Sequence, residues 1–149
     1  METKTTSVLN ELIEINNDRV AGFEKAMADI KDENVDLKQL FQRFAAQSRE
    51  NSQELAALVG SEGDEVETGT SVSGSLHRAW IDVKALFGGS TRESILSEAE
   101  RGEDAIKKAY RDALEDEELS AGAREVVNRQ QSGINAAHDE VKALRDAAK

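Results

Sequence analysis

Neither cysteine nor proline occurs among the 149 residues, and four Phe, one Trp and one Tyr are the whole aromatic complement. Without cysteine there is no disulfide framework, no thiol nucleophile, and no thiolate-bound zinc or iron–sulfur centre. Such a chain fits a bacterial-type cytoplasm. Without proline nothing breaks a helix from within, and the abundance of Ala, Glu, Leu, Lys and Arg favours helix almost throughout. Long apolar runs are missing as well. Nowhere do the roughly 18 consecutive apolar residues of a spanning helix occur, and the opening METKTTSVLN has no apolar h-region of a signal peptide. The expectation is a soluble, unprocessed, cytoplasmic protein with no membrane insertion. Basic charge is scarce: 19 Lys and Arg stand against 30 Asp and Glu, a formal charge of −11, which disfavours nucleic acid and anionic membrane surfaces as partners. There is no Gly-rich phosphate loop, no G-x-S-x-G and no strand pattern to carry either, so a hydrolase or nucleotide enzyme is not expected.

What is present is a repeated helical pattern, in a chain long enough for one domain spanning residues 1–149 and too short for two. Leu9, Ile13, Asn16, Val20, Phe23, Met27 and Ile30 step by fours and threes, predicting a helix over about 7–31 capped by Thr6 or Ser7. After the polar KDEN break, Leu37, Phe41, Phe44, Ser48, Asn51, Leu55 and Leu58 predict a second over 34–59 that forms an antiparallel hairpin with the first. The Gly-, Ser- and acid-rich stretch 60–73 reads as a loop, followed by a short helix over 75–87 stopped by Gly88 and Gly89. Ser90 and Glu93 have capping-box spacing. Beyond them Ile95, Ala99, Gly102, Ile106, Ala109 and Ala113 mark a helix over 91–114. Ser120 then caps a last helix over 120–147, with Val127, Gln130, Ile134, Ala137, Val141 and Leu144 inward. Four long helices of about 35 to 40 Å each match in length. The roughly 30 residues between the second and third are enough to cross back along the bundle. The reading is an all-α, ferritin-like four-helix bundle with one long crossover carrying a short extra helix.

The middle of each seam is polar or small: Asn16, Ser48 and Asn51, Gly102, Gln130 and Ser132. Buried polar groups need partners, so this layer holds a hydrogen-bonded network or a ligand. Gly102 inside a helix costs on the order of 1 kcal/mol relative to Ala, which points to a close approach there, and Gly22 and Gly133 raise the same demand. Counting heights from the two hairpins sets Glu24 level with Gln42 and Glu98 level with His138. With the second and third helices parallel, Glu24, Glu98 or Glu100, and His138 share a level. With an up-down-up-down connection, His138 and Glu98 meet Glu50 and Asn16 instead. The metal-ligand candidates are therefore Glu24, Glu50, Glu98, Glu103 and His138. Against them stands a ligand count, because a di-iron bundle site takes one Glu from each of two helices and Glu-x-x-His from each of the others. Here those motifs read Glu50-x-x-Gln53 and Asn135-x-x-His138, and amides bring no charge. Glu103 and Lys107 also suit a simple surface pair. For Glu98, Glu100, Glu103 and Asp104 a solvated charged face is the default. His77 and Trp80, in SLHRAW, suit an anchor for the short helix or an interaction surface.

Five segments in order, SVLNELIEINND with GFEKA, LFQRFAAQSRENSQEL, GSLHRAWIDVKALF, ILSEAERGEDAIKKAY and AAHDEVKALRD, resemble a bacterial four-helix-bundle family catalogued as domain of unknown function 2383 and grouped with the ferritin-like proteins. The resemblance spans nearly the whole chain. It implies a ferritin-like bundle of bacterial cytosolic origin and brings no settled activity with it. Relatives in the wider group bind iron through carboxylates and histidines, a pattern this sequence lacks at both Glu-x-x-His positions. Three functional readings follow. The first is a non-enzymatic or vestigially metal-binding bundle without a resident cofactor, stress-associated by analogy alone, acting as a homo-oligomer or through a protein partner. The second is a di-metal oxidase or peroxidase holding iron or manganese. The third is an interaction module centred on His77 and Trp80.

Overall fold

The computed structural model describes residues 4–29, 34–61, 91–117 and 119–148. They form four α-helices: α1 (Lys4–Asp29), α2 (Val35–Ser61), α3 (Arg92–Leu114) and α4 (Ala121–Ala147). The helix expected over 75–87, with His77 and Trp80, lies outside the described residues, as does Ser90 of the expected capping box. α1 begins three residues earlier than its pattern suggested, so Thr6 and Ser7 are helical residues and not its cap. Ser120 does cap α4: its backbone is extended and its side-chain oxygen accepts from the Ala123 N–H, satisfying one of the donors a helix start leaves free.

Pairings between helices give their directions. Asn16 meets Asn51 while Arg19 meets Ser48, so α1 and α2 are antiparallel. The backbone N–H of Ser120, just before α4, donates to Thr5 near the start of α1. Further along, Asn16 meets Tyr110 and Arg19 meets Glu103, so α1 and α3 are antiparallel too. The same holds for α2 and α4, through Glu54 with Gln130 and Arg43 with Glu140. α3 and α4 complete the ring through Tyr110 with Gln130 and Asp104 with His138. The diagonal helices α2 and α3 start at one end, where Arg92 bonds Asp36 at 2.6 Å. The chain thus leaves α2 at one end of the bundle and enters α3 at the other.

Inside this ring lie Leu9, Ile13, Phe23, Phe41, Phe44, Leu55, Ile95, Ile106, Val127, Ile134 and Val141. Phe23 stacks against Phe41 and Phe44 with ring centroids 4.8 and 5.5 Å apart, within the range where aromatic pairs add to plain burial. Most seam positions expected to be inward are buried, but Val20, Met27, Leu58, Ala109 and Leu144 are only partly so. Ser132, expected in the polar layer, is exposed and bonds back to the Asn128 carbonyl of its own helix. Among the described residues Val35 is the one large apolar side chain left exposed. None of the helices is long and apolar enough to cross a membrane.

Candidate functional site

The interior holds a polar layer, and its centre is an ion pair. Arg19 and Glu103 have no exposed side-chain surface at all. The guanidinium donates from Nε and Nη2 to the two carboxylate oxygens of Glu103, at 2.8 Å each. This two-pronged geometry is the strongest form an arginine–carboxylate contact takes. Nη1 is engaged as well, with Gln47 Oε1 at 2.6 Å, Ser48 Oγ at 3.0 Å and the Phe44 carbonyl at 3.4 Å. The Phe23 and Phe44 rings cover the guanidinium at 5.4 and 5.2 Å, a distance at which the ring quadrupole attracts a cation.

Toward the other end the layer continues as a chain of neutral groups that ends on the part-buried Glu54 carboxylate. Asn16 Nδ2 donates to Tyr110 Oη at 2.8 Å, and Tyr110 Oη donates to Gln130 Oε1 at 2.7 Å. Gln130 Nε2 donates to Glu54 at 2.8 Å and to the Asn51 carbonyl at 3.3 Å, while Asn51 Nδ2 returns to Asn16 Oδ1 at 3.3 Å. Burial raises the Tyr110 phenol well above its ordinary range, so it stays neutral and donates. Burial also pushes the Glu54 carboxyl up, but hydrogen bonds from Arg129 and Gln130 outweigh it and hold the group below its usual value.

A second cluster sits on the seam of α3 and α4. Glu100 and Asp104, four residues apart, share a stripe of α3 and face His138 of α4. His138 Nε2 is 2.5 Å from Asp104 Oδ1 and 3.9 Å from Glu100 Oε1, while Nδ1 is 3.3 Å from Asp139 Oδ1. Arg145 pairs with the far oxygen of Glu100. Glu100 and His138 are buried and Asp104 is exposed.

Of the five candidate ligands read from the sequence, the four whose side chains are described are not gathered into one site. Glu24 is exposed and pairs with Arg49 at 2.6 Å. Glu50 is exposed. Glu103 is neither a metal ligand aimed at His138 nor a surface partner of Lys107, because Arg19 occupies both its oxygens inside the core. The Glu98 side chain lies outside what is described. His138 is met by Glu100 and Asp104, within one turn of the expected level. Glu100 and Glu103 are buried, so only Asp104 of these three has the solvated setting expected by default. Arg19 and Tyr110, missing from the candidates, are the residues around which the layer is built.

A family model described as "Domain of unknown function (DUF2383)" matches residues 4–116. The chain belongs to this family. The matched span runs from α1 to the end of α3 and leaves α4, with Gln130 and His138, beyond it. None of the curated proteins compared with the chain matches it.

Proposed function

We propose that this member of the family is a ferritin-like bundle that carries out no metal chemistry in its interior and acts through its surface, as a homo-oligomer or with a protein partner. Four helices of matched length, antiparallel to each neighbour and with α2 parallel to α3, support the ferritin-like reading. The observation that carries the functional reading is the Arg19–Glu103 pair. A di-metal centre in such a bundle is built from facing carboxylates and histidines at mid-height. Here a fixed guanidinium already supplies the positive charge that Glu103 requires, and Asn16, Asn51, Tyr110 and Gln130 bring dipoles but no charge. The interior donor set does not suit iron or manganese, and of the five ligands of the di-metal oxidase or peroxidase reading Glu24 and Glu50 are exposed and Glu103 is held by Arg19.

The outer faces of the four helices are polar and the chain is strongly acidic, so contact through them would be made by charges and hydrogen bonds. A role under stress rests on the analogy with ferritin-like proteins. His77 and Trp80 are the sequence's candidates for an apolar contact. The decisive experiment is anaerobic loading of the full chain with Fe2+ followed by oxygen, with absorbance at 300–350 nm. The expected rate of iron oxidation matches that of protein-free buffer. A catalysed rate more than about tenfold faster, a barrier change of about 1.4 kcal/mol, and lost in Glu103→Gln, would overturn the proposal. Sedimentation velocity across a concentration series reads the oligomer directly.

A further inference from the structure

We infer that Glu100, Asp104 and His138 form a separate site for a single divalent transition-metal ion on the seam between α3 and α4. The three donor atoms lie within 4.8 Å of one another. One ion with bonds of about 2.0 to 2.2 Å holds its donors roughly 3 to 4.4 Å apart, so the set is close to closure. The adjustment falls on Asp104, whose side chain is 60% exposed and free to withdraw from Nε2. The imidazole is already oriented for the task. The 2.5 Å contact between Nε2 and Asp104 is a hydrogen bond with its proton between the two atoms, and an ion at Nε2 would take that proton's place. Nδ1, 3.3 Å from Asp139 Oδ1, would then carry the ring proton and donate it to that carboxylate, the second-shell arrangement that metal-binding histidines use.

Two further observations point to an unmet demand at this place. Glu100 is only 8% exposed; Arg145 is paired with its Oε2, and Oε1, on the side of His138, has among the described residues only the 3.9 Å contact with Nε2. A carboxylate buried to that degree ordinarily collects several donors. One turn before His138 on the same stripe of α4, the Oδ1 atom of Asn135 is sealed from solvent and accepts no hydrogen bond among the described residues. Charge adds to the argument. Glu100, Asp104 and Asp139 surround a single imidazole with Arg145 as the opposing cation, itself shared with Asp146, so a neutral His138 leaves the cluster negative. One nitrogen with two carboxylate oxygens suits a first-row transition ion better than Mg2+ or Ca2+, which take oxygen alone. The site differs from the interior layer in position and in chemistry. It also joins α3, inside the family match, to α4, outside it.

Co2+ is the probe, because its visible d–d bands report coordination number. Titrated into the chelator-treated full chain at pH 7.5, it is expected to saturate at one equivalent and to raise Tm. His138→Ala and Asp104→Asn should each weaken binding at least tenfold, with helicity by circular dichroism unchanged. Arg145→Gln should strengthen binding, since it removes the cation that competes for Glu100. Glu140→Gln, an exposed carboxylate on α4 paired with Arg43, should leave it unaltered. Two results would overturn the inference. One is the absence of saturable Co2+ binding. The other is an affinity that His138→Ala and Asp104→Asn leave within twofold of the parent, which would assign the cluster to a proton shared between imidazole and carboxylates.

Discussion

Replacing Glu103 by Gln removes one negative charge from a site with no exposure to water and keeps the shape of the side chain. The guanidinium of Arg19 is then left with Gln47, Ser48, the Phe44 carbonyl and two aromatic rings. Stranding one member of a buried pair typically costs about 3 to 5 kcal/mol. The neutral acceptors and rings retain part of the stabilisation, which places the expected loss in the lower half of that range, about 3 to 4 kcal/mol. For a chain of this size each kcal/mol moves Tm by about 2 to 4 °C, so the variant should melt about 6 to 16 °C below the parent. Urea and thermal unfolding followed at 222 nm at pH 7 measure both quantities. The double variant Arg19→Met with Glu103→Leu supplies the control. It removes both charges at similar volume and should lie within about 1 kcal/mol of the parent, or be more stable by up to about 4 kcal/mol. A cost under about 1 kcal/mol for Glu103→Gln would refute the reasoning, because it would mean that water reaches the pair. So would a double variant as unstable as the single one, since the side chains would then matter for packing and not for charge.

Tyr110 is the only tyrosine in the chain, so absorbance at 295 nm follows its ionisation alone. Its pKa is raised in the folded state by burial, so its contribution to stability is complete below the unfolded value of about 10 and is lost as pH rises through the folded one. Ionisation should therefore appear only together with unfolding above about pH 10, and a phenolate signal in the intact fold near pH 10 would contradict the burial. Tyr110→Phe leaves Asn16 and Gln130 each short of a partner and should cost about 1 to 3 kcal/mol in urea unfolding. A methyl group at Gly133 would lie 2.8 Å from Gln47 Nε2. Gly133→Ala therefore sets a helix gain of about 1 kcal/mol against displacement of Gln47 from Arg19, a net change within about 1 kcal/mol. The same change in a Gln47→Ala background should stabilise by about 1 kcal/mol, and a double-mutant cycle reads the difference. The hydrogen bond from Arg92 holds the Asp36 carboxyl below its ordinary value, so the pair stabilises above the unfolded pKa and ceases to as pH falls through the folded one. Being exposed, it should cost under about 1 kcal/mol to remove as Asp36→Asn at pH 7, and progressively less as pH falls through the folded value.

The helices and most of their inner faces were legible because apolar residues recur at fours and threes, a spacing that only an α-helix turns into one stripe. The centre of the layer was not, and the reason is specific. From Asn16 to Phe23 the seam can pass through Val20 or through Arg19, since three-then-four steps serve as well as four-then-three. From Ala99 to Ile106 it can pass through Gly102 or Glu103, and from Ile106 to Ala113 through Ala109 or Tyr110. At each fork the less polar or smaller residue was the reasonable choice by hydropathy, but the larger one is the more deeply buried in the pairs 19 and 20 and 109 and 110, and both 102 and 103 are buried. A signal was available: opposite charges at equivalent forks of two different helices, each with a seam already too polar to be dry. No rule of periodicity registers it, because the cost of burying either charge is cancelled only by a partner 84 residues away. The spacing places His138 inward and the heights place Glu100 at its level, whereas Asp104, its nearer partner, lies one turn further along α3, the error inherent in counting heights from hairpins.

The Arg19–Glu103 pair also bears on the order of events during folding. Each hairpin, α1 with α2 and α3 with α4, can form from contacts close in sequence, and such contacts close quickly. The pair spans the two hairpins: Arg19 already meets Gln47, Ser48 and two rings within its own hairpin, but the waters on Nε and Nη2 and those on Glu103 remain until the hairpins dock. Docking must strip this remaining hydration before their bond compensates, which puts a barrier at that step. The apolar double variant should fold faster than the parent, with the change on the folding arm of the chevron plot. A core that stores its charge across the last interface to close has exchanged folding speed for a single permitted alignment of its two halves.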